Sequence, residues 1–527
     1  MSDFPRRRYA DLRTALLARQ ELALLDVREE APFAEAHPLF AANVPLSKLE
    51  VEIYARVPHR HTPITVYDDG EGLAERATAR LVALGYSDVA LLEGGLSGWR
   101  DAGGELFRDV NVPSKAFGEL VESQRHTPSL AAEEVQALLA AEANVVVLDA
   151  RRFDEYQTMN IPGSISVPGA ELLLRVRELA PDPSTQVIVN CAGRTRSIIG
   201  TQSLVNAGIS NPVAALRNGT IGWTLAGQTL EHGQNRRFDL ATPVHLQQAR
   251  DAAQQVASKA RVGQVSLDQL HQWQADASRT TYLFDVRTAT EYEAGHLPGA
   301  RWVEGGQLVQ ETDHVASVRG ARLVLVDSEG VRAPMSASWL AQMGWEVWVL
   351  DAQPAGQFNQ QGPWQAPLPA VPQAPSISAQ TLQQWQQTAG TVLLDFTSSA
   401  NYVKRHIPGA HWLLRADLAD ALAQLPKAER YVLTCGSSLL ARFAAADLQA
   451  LTQVPVHVLD GGTAAWIDAG LPLESGEQQL ASPRIDRYRR PYEGTDNPVA
   501  AMQGYLDWEY GLVAQLGRDG THGFFVI

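Results

Sequence analysis

Cysteine is almost missing from this chain: 527 residues contain two, Cys191 and Cys435. Two thiols cannot build a disulfide framework, so apolar cores must carry the fold, and a reducing cytoplasm is the expected setting. Positive charge is also short. The 44 Lys and Arg against 59 Asp and Glu leave a net charge of −15. Proteins that hold nucleic acid or an anionic membrane present a basic face to phosphate, so neither is an expected partner. No uninterrupted apolar run is long enough to span a bilayer. The basic residues Arg6, Arg7 and Arg8 are not followed by the apolar stretch of a secretory signal. No His/Cys cluster has zinc-ligand spacing and no phosphate-loop lysine motif occurs. No metal or other cofactor is therefore expected.

What is present is ordinary globular composition, 45% hydrophobic and 20% charged, spread over a length that suggests about three to five domains. One pattern returns four times: an apolar strand ending in Asp, an aromatic position, then an Ile-Pro-Gly-like turn. The strands are Leu24-Leu25-Asp26, Val147-Leu148-Asp149, Leu283-Phe284-Asp285 and Leu393-Leu394-Asp395. Turns follow at Ile161-Pro162-Gly163, Leu297-Pro298-Gly299 and Ile407-Pro408-Gly409, with Tyr156, Tyr292 and Tyr402 ahead of them. Each repeat continues with a second apolar strand (Ile64–Tyr67, Val187–Asn190, Leu323–Val326, Tyr431–Thr434), a short loop, a helix and a third strand. In copies 1, 2 and 4 a Gly-containing turn then leads to Trp99, Trp223 or Trp466.

Apolar strands without strict alternation, separated by helices, imply parallel sheets covered on both faces. The expected fold class is α/β: four tandem units, each a parallel β-sheet with helices on both faces, at residues 1–107, 128–230, 262–352 and 376–475. Residues 231–262, rich in Gln, Ala and Arg, predict a connecting helix. Residues 352–376, rich in Pro, Gln and Gly, predict an extended spacer. The tail, 476–527, carries Tyr505, Trp508, Tyr510, Phe524 and Phe525. These aromatics predict docking on the body or on another subunit, which leaves a homodimer open.

Asp-x-Arg, Glu-Tyr, Gly-His-Leu/Ile-Pro-Gly-Ala, strand-Cys-loop-helix and the Gly-rich turn before Trp together resemble the rhodanese family, over nearly the whole chain to about residue 475. The resemblance implies multi-domain sulfur transfer. A cysteine attacks the outer sulfur of a small anionic donor such as thiosulfate, releases sulfite, and passes the sulfur from its persulfide to cyanide or a thiol. It also implies, from two-domain relatives, that an inactive copy partners an active one, here copy 1 with 2 and copy 3 with 4. The turn residues His296 and His406 are expected to be structural.

The first residue of the loop after the second strand separates the copies. It is Asp68, Cys191, Asp327 and Cys435 in turn, so both cysteines share one register. Between a strand end and a helix start, unpaired backbone amides favour an anion and should lower a thiol pKa. Cys191 is the expected nucleophile, with Ala192, Gly193, Arg194, Thr195, Arg196 and Ser197 as the sulfur cradle. Arg194 and Arg196 are expected to attract an anionic donor. Asp149 and Arg151 match the family's Asp-x-Arg support beside the pocket, and Glu155 is placed at its rim. Cys435 is the second candidate: Cys435-Gly436-Ser437 resembles the mercaptopyruvate-type loop but departs from it at Ser438 and Leu440, and has no cation. Asp68 and Asp327 already carry negative charge and cannot carry transferable sulfur, so copies 1 and 3 are expected to be scaffolds whose carboxylates cap the loop amides. A cysteine phosphatase needs Cys-x5-Arg, whereas Cys191 to Arg196 is one residue shorter. The non-enzymatic alternative is a persulfide carrier or sulfide-responsive interaction protein.

Overall fold

A computed structural model describes residues 4–527; the first three residues of the 1–107 unit lie outside the described residues. Four five-stranded sheets stand side by side, every strand pair parallel. In the second copy the strands are Ser129–Leu130, Val145–Asp149, Ile165–Ser166, Gln186–Asn190 and Val213–Leu216, and they lie in the spatial order first, fifth, fourth, second, third. The other three sheets repeat that order. The Val-, Ile- and Leu-rich central strands are buried on both faces because helices cover each side. The Asp ending the second strand lies in register with the residue that precedes each loop: Asp149 pairs with Asn190 and Asp395 with Thr434. This brings the Asp-x-Arg element beside the loop.

The linkers do more than connect. A helix over Pro243–Lys259 starts where Thr242 accepts from the His245 amide and Pro243 takes the first turn. Beyond the short turn Ala355–Gln357, residues 352–375 form neither strand nor helix. They lie along copy 3, where Phe358 stacks under Arg287. A helix over Val112–Arg125, between copies 1 and 2, is buried along most of its length. The tail forms helices Val499–Tyr510 and Leu512–Asp519, which dock on the chain's own body: Tyr505 and Leu516 are buried, and Phe524 packs on Phe117 and Phe40.

The copies are not paired as the resemblance implied. Copy 1 meets copy 4: Glu50 holds Arg415 at 2.5 and 3.1 Å, and Ser47 accepts from the Ala416 amide at 3.1 Å. Copy 2 meets copy 3: Arg332 reaches Glu171 at 3.0 Å, and the Trp339 indole donates to Ser203 at 2.8 Å. The elements in contact are equivalent, the segment after the third strand (46–48 with 415–417, 169–171 with 305–310). The physical cause is apolar surface. Leu25 and Val66 of copy 1, Phe284 and Leu323 of copy 3, and Phe117 of the first linker belong to one continuous core, which Ile198 and Ile199 of copy 2 and Ala416 of copy 4 also join. Burying that joint surface sets which copies meet.

Candidate active site

Each second-strand loop wraps its first residue in backbone amides. In copy 3 the Asp327 carboxylate accepts from the amides of Glu329, Val331, Arg332 and Ala333 at 2.7–3.2 Å. In copy 1 Asp68 accepts from Gly70, Leu73 and Ala74 at 2.7–3.1 Å. These carboxylates act as built-in anions. They fill a cradle of converging donors at the start of a helix.

Copy 2 places Cys191 there instead. The thiol is 2% exposed and its Sγ lies 3.3 Å from the Ser197 hydroxyl. Burial pushes the thiol pKa up, while Arg196, Ser197 and the Gly193 amide pull it down without cancelling the rise. The lowered thiol pKa expected from the sequence is not what the fold gives: the anion-favouring groups are present, but desolvation outweighs them. The loop is clasped from behind by the turn at Asn218–Gly219. The Thr220 amide donates to the Cys191 carbonyl at 2.9 Å. Gly219 has φ +56°, and a Cβ there would sit 2.3 Å from that carbonyl oxygen, so only glycine closes the turn.

The two loop arginines do different work. Arg196 is largely but not fully buried, its side chain 12% exposed, and is gripped by Glu155 at 2.7 and 2.9 Å, a two-pronged ion pair. Against the cost of burial, that guanidinium holds Glu155 down to about 2, and Arg196 lies close enough to act on the Cys191 charge. Arg194 does not meet a donor as a free cation. Its guanidinium binds Glu119 at 2.6 and 2.9 Å and Glu122 at 2.5 Å, and stacks on Tyr510 with its carbon 4.2 Å from the ring centre. It is spent in tying the loop to the first linker helix, whose buried Glu119 and half-buried Glu122 both bind it, and to the tail, whose Tyr510 hydroxyl accepts from it at 3.0 Å. Arg151 is engaged as well. It binds Asp149 at 2.8 and 2.9 Å and the Met159 carbonyl at 2.5 Å, and holds the loop's neighbouring strand end. Thr195 and Ser197 are buried in the first turn of the helix Thr195–Asn206, where Ser197 donates to the Arg194 carbonyl.

Copy 4 differs point by point. Cys435 is buried too, and burial raises its pKa against donors from the amides of Ala441, Ser437, Leu440 and Ser438. The position of Arg196 is Leu440, and the position of Arg151 is Thr397. Asp395, left without its arginine, has an Oδ2 with no hydrogen-bond partner among the described residues and is pushed by burial to about 7.

The surroundings of Cys191 include residues that the motif did not point to. The tail helix Val499–Tyr510 lies over Gly193, with Tyr505 and Glu509 against it. A cleft of about 410 Å³ opens between Arg151 and Glu155 on one side and Arg487, Arg489, Tyr492 and Glu493 of the tail on the other. A smaller apolar cavity of about 40 Å³ lies behind the loop, lined by Arg196, Ile199 and Gly200 of copy 2 and by Gly305 and Trp339 of copy 3. A sequence signal for the tail residues existed in the four-residue spacing of Tyr505 and Glu509 on one helix face. They belong to no repeat, so the fourfold pattern could not single them out.

The rhodanese-like domain model matches residues 10–102, 131–226, 266–352 and 378–469. A solved thiosulfate sulfurtransferase from Pseudomonas aeruginosa superposes with a TM-score of 0.98 at 73% identity, over 99% of this chain and 100% of that one. A thiosulfate sulfurtransferase of Azotobacter vinelandii is 27% identical over 228 residues, 36% of this chain and 82% of that one. An HTH-type transcriptional regulator of Mycobacterium tuberculosis is 32% identical over 108 residues, 20% of this chain and 47% of that one. With its four matched units, four identically ordered parallel sheets and a cysteine seated in the amide cradle of the second, the chain belongs to the rhodanese-like family.

Proposed function

We propose that the chain is a thiosulfate sulfurtransferase whose reaction runs through a persulfide on Cys191. The observation that carries this reading is the comparison of cradles. Asp68 and Asp327 fill theirs with a permanent carboxylate. Cys191 occupies the same place with a thiol that can gain or lose one sulfur atom and keep its negative charge among the donors. The Cys191 thiolate attacks the outer sulfur of thiosulfate. One S–S bond forms, the S–S bond of the donor breaks, and sulfite leaves with the bonding pair. A thiolate or cyanide then takes the outer sulfur and restores the thiolate. No metal or cofactor enters either step.

Arg196 supplies the fixed charge that favours the thiolate and the persulfide anion, and the Ala192–Ser197 backbone holds the terminal sulfur. Arg151 keeps Asp149 and the neighbouring strand end in place, and Arg194 braces the loop. A small anionic donor and a thiol or cyanide acceptor are the partners. The two free thiols suit a reducing cytoplasm, and no helix among the described residues is long and apolar enough to cross a membrane. Cys435, with amides but no cation, is a second and slower persulfide site.

Mass spectrometry after thiosulfate exposure tests the reading: one added sulfur atom should map to Cys191. Cys191→Ser should abolish thiosulfate:cyanide transfer and Cys435→Ser should leave most of it. Full turnover in the Cys191 variant would reverse the assignment. The carrier reading draws on the two copies without cysteine. A carrier would load once and release no further sulfite, so repeated turnover excludes it.

A further inference from the structure

One side chain beside the cradle has no structural reason to be a carboxylic acid. Glu509 is 0% exposed. Its Oε1 accepts from the Tyr505 hydroxyl at 2.8 Å, while its Oε2 has no partner among the described residues. A buried carboxyl oxygen left unpaired is costly and rare. This one faces the loop: the point a Cβ on Gly193 would occupy is 3.5 Å from Glu509 Oε2 and 3.1 Å from Tyr505 Cε1. The Gly193 amide is one of the donors to the Cys191 sulfur. The orphan oxygen therefore abuts the residue that holds the reacting atom.

The charged and titratable groups packed around Glu509 are Lys115 and Glu119 from the first linker helix, Arg194 from the loop, and Tyr492 and Tyr505 from the tail. Both cations are already committed. Lys115 binds Asp109 at 2.6 Å, and Arg194 binds Glu119 and Glu122. Burial and the neighbouring Glu119 carboxylate push Glu509 up to about 8, so it carries its proton at neutral pH.

We infer that Glu509 is the proton donor and acceptor of the Cys191 cycle, giving its proton to the departing sulfite and recovering it from the acceptor thiol. This deepens the persulfide reading above and rests on it. In the first half, the Cys191 thiolate bonds to the outer sulfur of thiosulfate and the donor S–S bond breaks. The sulfite takes the bonding pair, and the Glu509 proton passes to it. The products are the Cys191 persulfide anion, hydrogen sulfite and the Glu509 carboxylate. In the second half, that carboxylate removes the proton of the incoming thiol. The resulting thiolate bonds to the outer persulfide sulfur, the Cys191 S–S bond breaks and the Cys191 thiolate is restored. Over the cycle thiosulfate and a thiol become hydrogen sulfite and a persulfide anion, with atoms and charge conserved. The protonated carboxyl also spares the site a second negative charge while the dianionic donor enters.

The test is rapid-mixing measurement of sulfite release on the full chain across pH. Ionisation of Cys191 makes the wild-type rate rise with pH. Loss of the Glu509 proton from about pH 8 cancels that rise, so the rate levels off there and falls only above the higher pKa of the buried thiol. Glu509→Gln, which keeps shape and burial, should release sulfite about 100-fold more slowly at neutral pH and keep rising past pH 8 without levelling. Should that variant fail to fold, Tyr505→Phe decides: the ring still packs on Gly193, but the hydroxyl that steadies the carboxylate is gone, so the levelling should begin at higher pH. Wild-type rate with an intact break in Glu509→Gln, or an unmoved break in Tyr505→Phe, overturns the inference. If Cys191 gains no sulfur even in the wild type, the persulfide reading itself fails. If it gains sulfur and Glu509→Gln is unaffected, only the role of Glu509 falls.

Discussion

Glu155 holds Arg196 with both carboxylate oxygens, at 2.7 and 2.9 Å, and this pair recurs in copy 3 as Glu291 with Arg332 at 2.7 and 2.9 Å. Copy 3 thus has the cation and its clamp but a carboxylate in the cradle. Copy 4 has the cysteine but neither cation nor clamp, since Leu440 and Asn401 stand in their places. Only copy 2 unites a thiol with a charge fixed beside it, so the difference between the two cysteines can be assigned to one interaction.

The first prediction follows directly. Arg196→Met keeps the stem that lines the apolar cavity and removes the charge. It should raise the Cys191 pKa further, seen as a shift of the thiolate ultraviolet absorbance to higher pH, and slow persulfide formation about 100-fold. Glu155→Gln should be milder, because the guanidinium stays but loses its clamp. An Arg196→Met enzyme with an unchanged thiol titration would remove the arginine from the mechanism.

The repeats made the four parallel sheets and the cradle legible, because each depends on local pattern: apolar strands, the terminal Asp, and Gly turns at positive φ. The spatial order of the strands and the two short strands added to each sheet were not legible, because strands of two or three residues leave no apolar run to read. The loop arginines were legible as charges but not as partners. Arg194 reads as a donor-binding cation until Glu119 and Glu122, from a linker that belongs to no repeat, are brought against it. The pairing of copies was not legible either. It rests on which outer helix faces are apolar enough to merge, such as those of Phe117 and Trp339, and no repeat motif records that. The raised thiol pKa of Cys191 is likewise a tertiary effect, since the tail and the first linker help to dry the site.

Asp395 gives a prediction about stability. Burial raises it from the ordinary 3.8 to about 7, with no cation to oppose the shift. The folded chain therefore binds a proton between those values that the unfolded chain has released. Stability from this group is full below about pH 4, falls as pH rises, and is lost by about pH 7. Asp395→Asn should flatten that decline in urea midpoints measured for copy 4's unfolding against pH. An unchanged slope would mean that Asp395 is paired in solution.

Copy 4 is held to copy 1 by Glu50 and Arg415, both largely buried, with Asp447 as a third member at 2.8 Å from Arg415. Each partner keeps a weaker second contact, Arg415 with Asp447 and Glu50 with Arg80 at 3.5 Å, so Glu50→Gln or Arg415→Met alone should each cost about 2 kcal/mol, the worth of a hydrogen bond to a charged group. The double variant should cost clearly less than the sum, which a double-mutant cycle on thermal unfolding would show. Strict additivity would mean that the two side chains do not hold each other.

Gly193 supplies the last prediction. Its backbone φ is ordinary, so alanine brings no conformational strain; the penalty is steric and local. A methyl group there would press on the Tyr505 ring at 3.1 Å and lie 3.5 Å from Glu509 Oε2. The loop is fixed by Thr220 and Gly219 behind it, whereas the helix Val499–Tyr510 is held by side-chain packing. The helix is therefore the part that yields. Gly193→Ala should leave the sheets and overall stability nearly unchanged, but loosen the tail helix. Amide exchange across residues 499–510 should speed up, and Cys191, now less sealed, should react faster with a neutral alkylating agent. If exchange in the tail is unaltered while the protein as a whole loses stability, the loop and not the tail is the softer element, and the tail's place over the thiol is not set by this contact.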